Sequence, residues 1–327
     1  MGVVRSAVGI DIGGTKIAAG LVTERGELLW AQQEPTPASQ GPTAIGQAVV
    51  RMASRAIERA RALGLEPEGV GIGTGGQVDV VRQRVVASTR LLPGWQSMPL
   101  RDRVEEALGV PVSLDNDAKV VARAELLWGN ARGCRHVLFV TLGTGVGGAV
   151  AVGGRVVDGA RGFAGHLGHV TVRPGGAPCS CGRRGCLEAY ASATGILRMA
   201  RELAGESGVE DATDVFGLAA GGVPWAQDVL HEAADALGQA LAGVIHVLDP
   251  ERVVVGGGLS AWGEPWRARI ESAIRRHLMD VFVSSLEVRL ALLGPQAGVL
   301  GAAALALERR SDDSAVAVEP GPSTGRA

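Results

Sequence analysis

The chain has 327 residues, of which 46% are hydrophobic, and a formal net charge of −2, which leaves room for two ordinary domains with substantial cores. The balanced charge gives no basic footprint for nucleic acid and no polybasic run for an anionic membrane. No stretch approaches the roughly 20 apolar residues of a membrane span.

From the N-terminus, Ala7 to Ile12 reads as a buried strand. Gly13-Gly14-Thr15-Lys16 turns it into a second strand, Ile17 to Thr23, and a further turn leads to Leu28 to Gln32. This is a β-meander with Asp11 at the end of its first strand. It lacks the Gly-x4-Gly-Lys-Ser/Thr spacing of a phosphate loop that opens a helix. Gly41 to Gly64 carries apolar residues at helical spacing, and Gly69 to Gly73 is a strand leading into a polar glycine loop, Thr74 to Asp79, of the kind that lines a small-molecule cleft. Val85 to Ser88 reads as a strand, Leu100 to Leu108 as a short helix and Val110 to Leu114 as a strand. That strand ends in Asp115-Asn116-Asp117, and a helix follows from Lys119 to Gly129. One of the three polar residues suffices to cap the helix; the others put charge at the carboxyl end of a strand, where α/β proteins bind ligands.

From His136 to Val157 the first plan is repeated: a strand Val137 to Thr141, a turn Gly143-Thr144-Gly145-Val146-Gly147-Gly148, and a returning strand Ala149 to Val152. Two glycine hairpins in corresponding places point to an internal duplication. Backbone N–H groups at such turns form anion-binding concavities, so two facing hairpins can grip a nucleotide's phosphates from both sides. Glycine, at 49 residues, is clustered at these turns, where backbone must come close to a ligand.

Gly165 to Glu188 concentrates three of the four cysteines, Cys179, Cys181 and Cys186, with His166 and His169 just ahead of them, across a strand-like Val170 to Arg173. Three thiolates at this spacing suit zinc, and either imidazole can complete a tetrahedron. A disulfide pairing fits poorly, because the clustered thiols are odd in number and Cys134 is remote; a reducing cytoplasm is the expected compartment. Four protein ligands leave no open coordination position, so the zinc would be structural, holding the loop that carries Glu188.

Beyond it, Ala189 to Leu203 and Ala226 to Leu248 have helical patterns, separated by a short polar helix around Asp211 to Ala220. Arg252 to Val255 is a buried strand ending in a third glycine loop, Gly256-Gly257-Gly258. A helix from Pro265 to Leu278, a strand Leu286 to Leu290 and an alanine-rich helix Gln296 to Arg309 complete the ordered part; 311–327 read as a disordered tail.

Asp11-Ile-Gly-Gly-Thr-Lys, Asn116-Asp117-Ala, Leu142-Gly-Thr-Gly-Val-Gly-Gly, Gly165-x-x-Gly-His169, Cys179-x-Cys-Gly-x-x-Gly-Cys-Leu-Glu188 and Gly256-Gly-Gly together resemble the ROK family of repressors and sugar kinases, over about Val8 to Ala306. The resemblance implies a two-domain α/β fold of the actin/hexokinase-like (ribonuclease H-like) ATPase type with a structural zinc loop. Residues 1–118 with 297–310 would form the smaller domain, and 119–296, with the zinc loop at 165–188, the larger. It also implies ATP with Mg2+ in the cleft, phosphorylation of a hexose, usually at carbon 6, and a homodimer or homotetramer.

Carried across by residue, the resemblance makes Asp117 the catalytic base. Gly76, Asn116, His166, His169 and Glu188 would surround the sugar. Asp11, Gly13, Gly14, Thr15, Lys16, Gly143, Thr144, Gly145 and Gly147 would face phosphates and magnesium, and Gly256, Gly257 and Gly258 the adenosine. His169, Cys179, Cys181 and Cys186 would hold zinc. Two departures stand out: glucokinases of the family usually have Glu where His166 stands and Pro where Gly75 stands. A His at this place also occurs in the family's bacterial N-acetylmannosamine kinases, which keeps N-acylhexosamines open as substrates. A repressor would need a DNA-binding module ahead of the Asp11 strand, and a non-catalytic sugar-binding regulator would not need Asp11, Asp117 and both phosphate turns.

Overall fold

The computed structural model describes residues 4–87, 92–204 and 209–315. Its first sheet contains β1 (Ser6–Ile12), β2 (Lys16–Thr23), β3 (Leu28–Pro35), β4 (Val70–Thr74) and β7 (Val112–Asn116) in the order β3-β2-β1-β4-β7. Between β3 and β4 runs α1 (Pro42–Ala62), which starts at a proline whose missing N–H costs nothing in a first helical turn. β5 (Gln77–Asp79) and β6 (Arg84–Ala87) form a separate hairpin, and α2 (Leu100–Leu108) precedes β7. β1 is antiparallel to β2 and parallel to β4, and β4 is parallel to β7.

After α3 (Asp117–Trp128) the second sheet repeats the plan with β8 (Val137–Leu142), β9 (Val146–Val152), β10 (Arg155–Val156), β11 (Arg252–Gly256) and β12 (Glu287–Leu290), in the order β10-β9-β8-β11-β12. β8 is again antiparallel to its hairpin partner and parallel to β11. The two sheets thus share strand order and sense, the structural counterpart of the repeated glycine hairpin. α4 (Glu188–Ala191), α5 (Ala193–Ala204), α6 (Ala212–Ala220) and α7 (Pro224–Leu248) lie between β10 and β11 in sequence; α8 (Gly263–His277) and α9 (Asp280–Val283) lie between β11 and β12. Asp211 and Asp214 cap α6 reciprocally.

α10 (Ala297–Ala315) returns to the first sheet. It lies so close that a Cβ added at Gly71 would meet Ala302 O at 1.7 Å, and one added at Gly301 would meet Val120 O at 1.7 Å. Only glycine permits backbone-to-backbone contact of this kind. α3 is consequently pressed between α10 and the second sheet.

Several boundaries differ from expectation. Gly147 and Gly148 lie in β9, paired with Thr141 and Val140, so the second turn is only Gly143 to Gly145. The loop read from Thr74 to Asp79 contains β5, because Val78 and Val85 bury a shared face. Val170 to Arg173 is not a strand; only Thr171 makes an isolated bridge, to Cys186. The helix read from Ala189 to Leu203 breaks at Ser192, whose hydroxyl bonds Glu188 O instead of continuing the ladder. α10 runs to Ala315, into the segment read as tail, while 316–327 and Ser88 lie outside the described residues.

Candidate functional site

Asn116 is the last residue of β7 and Asp117 the first of α3. Asn116 caps the helix, its Oδ1 accepting the Ala118 N–H at 3.0 Å, while its Nδ2 donates to Gly76 O at 3.1 Å. Asp117 needs no part in capping, though its Oδ1 also accepts the Ala118 N–H at 2.9 Å. Its carboxylate keeps solvent-accessible surface although protein surrounds it on most sides, the signature of an acid on the floor of a cleft. Loss of bulk water pushes its pKa above the ordinary carboxylate range, against the Ala118 N–H and Asn116, which pull it down.

Both glycine hairpins converge on this acid. Asp11, at the end of β1, feels the Asp117 charge: burial and then that charge push the Asp11 carboxyl up to about 6, against the opposing pull of Lys16. Gly13, Gly14, Thr15 and Lys16 form the open turn beside it, closed by the Gly13 N–H bond to Lys16 O at 2.9 Å. From the other side, a Cβ at Gly147 would meet Ala118 Cβ at 3.0 Å, so β9 lies against the residue after Asp117. Gly143, Thr144 and Gly145 make the second turn, with the Gly143 N–H donating to Gly145 O at 3.0 Å. Gly257 sits against Leu142 at the end of β8, and the loop Gly256 to Gly258 therefore adjoins that turn.

The third component is the cysteine loop. The ligand atoms of His169, Cys179, Cys181 and Cys186 all lie within 4.8 Å of one another. Cys181 Sγ is 3.7 Å from Cys186 Sγ, and Cys179 Sγ is 3.7 Å from His169 Nδ1. Zinc–thiolate bonds of about 2.3 Å at tetrahedral angles give sulfur separations of about 3.8 Å, so the four donors fit one tetrahedral ion. Burial raises the Cys181 thiol, but the Arg183 N–H and neighbouring groups outweigh it and bring its pKa down to about 7. His166 stays outside the cluster, its ring centroid 6.4 Å from that of His169. Between the two imidazoles left open by spacing, the geometry selects His169.

Glu188 joins the parts. One carboxylate oxygen accepts the Val146 N–H at 3.1 Å, and the other accepts the Ser180 hydroxyl at 2.5 Å. A Cβ at Gly145 would lie 2.6 Å from Glu188, so that glycine makes room for the acid.

Some neighbours of the site escape a sequence reading. Gln83, in a left-handed conformation at φ 52°, covers the open edge of β7: its Oε1 accepts the Leu114 N–H at 2.8 Å and its Nε2 donates to Val80 O at 2.6 Å. Lys119 is fully buried and pairs with Asp115 at 2.8 Å. The four-residue spacing of that pair is a visible signal; the loop residue Asp158, which also reaches Lys119, has none.

The model of the ROK family matches residues 7–309. The chain belongs to the ROK family. It is 37% identical to a glucokinase of Thermotoga maritima, over 92% of this chain and 97% of that protein. It is 34% identical to an N-acetylmannosamine kinase of Escherichia coli, over 92% of this chain and 98% of that one. A ROK family glucokinase from Streptomyces griseus, solved with glucose and AMPPNP, superposes with a TM-score of 0.80 at 35% identity, covering 93% of this chain and 99% of that one. The ROK chain is therefore a carbohydrate kinase with the α/β ROK sugar kinase fold. Among its described residues no helix is long and apolar enough to cross a membrane.

Proposed function

We propose that this ROK kinase transfers the γ-phosphoryl group of ATP to the 6-hydroxyl of an aldohexose, either glucose or an N-acylhexosamine such as N-acetylmannosamine or N-acetylglucosamine. The observation that carries this reading is the position of Asp117: a solvent-reached carboxylate on which both glycine hairpins converge. Phosphoryl transfer asks the protein mainly for in-line positioning and charge stabilisation, plus a group to take the hydroxyl proton. Asp117 would take that proton, and its raised pKa brings its basicity closer to neutral pH, which favours proton transfer. The backbone N–H groups of the turns at Gly13 to Lys16 and Gly143 to Gly145 would bind the phosphates. Magnesium, bound with ATP near Asp11, would neutralise phosphate charge. Gly256 to Gly258 would border the adenosine.

A structural zinc held by His169, Cys179, Cys181 and Cys186 accords with the donor set and its spacing. It would fix the loop from which His169 and Glu188 approach the sugar. Glu188 has protein partners on both oxygens, yet a carboxylate offers about four acceptor positions, so it can still receive a sugar hydroxyl. The twofold organisation supports assigning the first sheet with α10 to the smaller domain and the second sheet to the larger.

His166 favours the N-acylhexosamine side of the reading. Burial, then the charges of His169 and Lys119, lower its pKa, so it is neutral near pH 7 and offers one donor and one acceptor to an amide or hydroxyl. ADP release with Mg-ATP and glucose, N-acetylmannosamine, N-acetylglucosamine, mannose or fructose, assayed side by side, tests the reading. Turnover with none of them would end it.

A further inference from the structure

Beneath the Asp117 junction lies a group of charges, buried at Lys119 and Asp115, nearly so at Arg123 and partly exposed at Asp158 and Glu308, that phosphoryl transfer does not itself require. The Lys119 ammonium, 1% exposed, sits between Asp115 of β7, at 2.8 Å, and Asp158 of the loop that follows β10. One turn along α3, Arg123 reaches Asp115 at 3.2 Å and Asp158 at 3.7 Å, and it also pairs with Glu308 of α10. Neither Lys119 Nζ nor Asp158 Oδ1 has an aligned hydrogen-bond partner, so their tie is an ion pair, buried at the lysine and partly exposed at the Asp158 side chain. Each partner keeps a second ion-pair partner, Asp115 for Lys119 and Arg123 for Asp158, so breaking the pair frees the loop without leaving either charge unpaired.

The position of Asp158 gives this pair a consequence for the sugar site. Asp158 begins a short loop that closes on itself through the Ala164 N–H to Asp158 O at 3.1 Å and runs directly into Gly165 and His166. Midway, Gly162 lies against the β5–β6 hairpin; a Cβ there would lie 2.7 Å from Val78 O. The loop thus crosses from the second sheet's half of the chain to the first, and Lys119 is its charged anchor. Lys119 itself stands two residues after Asp117 on the same helix.

We infer that Lys119 and Asp158 are positioning residues for the transfer reaction: their ion pair, rooted in the buried lysine, fixes the 158–165 loop, and with it His166, at a set distance from the Asp117 carboxylate. This rests on the reading of Asp117 and His166 as the base and a sugar contact. The pair touches neither substrate. It sets the width of the sugar site while leaving the nucleotide turns alone, because none of the five charged residues of the cluster lies in Gly13 to Lys16 or Gly143 to Gly145. Small displacements of positioning groups are expensive in rate, up to about a hundredfold for 1 Å.

The test compares wild type, Asp158→Asn, Lys119→Met and the double variant, using the sugar that gives turnover and Mg-ATP. Asp158→Asn, on a partly exposed loop, is expected to raise the sugar KM roughly tenfold with the ATP KM changed less than about twofold. The double variant is expected to be no worse than Lys119→Met, since both changes remove one interaction. Hydrogen exchange provides a readout free of turnover: amides of 158–165 should exchange about tenfold faster in Asp158→Asn. An unchanged sugar KM with a lowered melting temperature, additive single effects, or unaltered loop exchange would each overturn the inference. A wild type inactive on every sugar would instead end the kinase reading, and the exchange data would still judge the ion pair.

Discussion

Glu188 accepts a hydrogen bond from the Val146 N–H across 42 residues of sequence, at 3.1 Å. The bond fastens the cysteine loop to the turn of the second glycine hairpin, and the Ala193 N–H bond to Gly143 O at 2.8 Å reinforces it. The proposed sugar-side and phosphate-side elements are thereby one mechanical unit, which a metal held by His169, Cys179, Cys181 and Cys186 would stiffen from outside. Metal analysis of protein purified without chelator should give about one zinc per chain. Cys181→Ser should lower that value and weaken sugar binding by roughly 10–100-fold, the range typical of disturbed ligand-orienting groups. Full zinc occupancy in that variant would remove Cys181 from the ligand set.

Replacing the proposed base would separate binding from chemistry. Asp117→Asn preserves the shape of the α3 N-terminus, since Asn116 supplies the cap. Turnover should fall about 10²–10⁴-fold, while the sugar dissociation constant measured by calorimetry stays within a few-fold of wild type. Ordinary turnover in this variant would assign proton removal elsewhere.

Asp11 carries a pH signature in the metal-free protein. Its folded pKa of about 6 exceeds the ordinary value of 3.8. Between those values the folded state binds more protons than the unfolded state, so stability falls as pH rises through that window. Asp11→Asn removes the penalty: above pH 6 it should be more stable than wild type by on the order of 2 kcal/mol, and the gain should vanish below about pH 4. Denaturant melts at pH 4 and pH 8 without magnesium measure this. An Asp11→Asn variant less stable than wild type at pH 8 would contradict it.

Much of this site is legible in the sequence because its chemistry is written in short runs. The glycine turns, Asn116-Asp117 and the Cys-x-Cys spacing each act locally, so spacing alone locates them, and the repeated hairpin announces the repeated sheet. What stays hidden depends on contacts distant in sequence. The bond from Gln83 to the edge of β7 spans 31 residues, and the Lys119–Asp158 pair joins a helix to a loop that has no motif. Gly147 reads as turn because glycine there signals flexibility, whereas its reason is the closeness of Thr141 and Ala118 in a paired strand.

Glycines that look alike in sequence should respond oppositely to alanine. At Gly301 an added Cβ would meet Val120 O at 1.7 Å, forcing α10 away from the helix that bears Asp117. Gly301→Ala should cost about 3 kcal/mol and reduce turnover together with stability. At Gly243 in α7 nothing lies within 4 Å, so Gly243→Ala should gain about 0.5–1 kcal/mol. Thermal melts of the two variants give the comparison, and equal effects would show that α10 can shift freely.

Specificity should turn on His166. Its neutral imidazole, half-buried beside the charge of Lys119, presents a donor and an acceptor without a fixed charge. A glutamate there would be supported by the same ammonium and would accept from two sugar hydroxyls at once, which suits an unsubstituted hexose better than an acylated nitrogen. His166→Glu should therefore shift the ratio of kcat/KM for glucose over N-acetylmannosamine upward by about tenfold, equivalent to about 1.4 kcal/mol. Because both sugars are measured on one enzyme, loss of folded protein cancels from the ratio. A ratio unmoved by the substitution would place the sugar's second carbon away from residue 166.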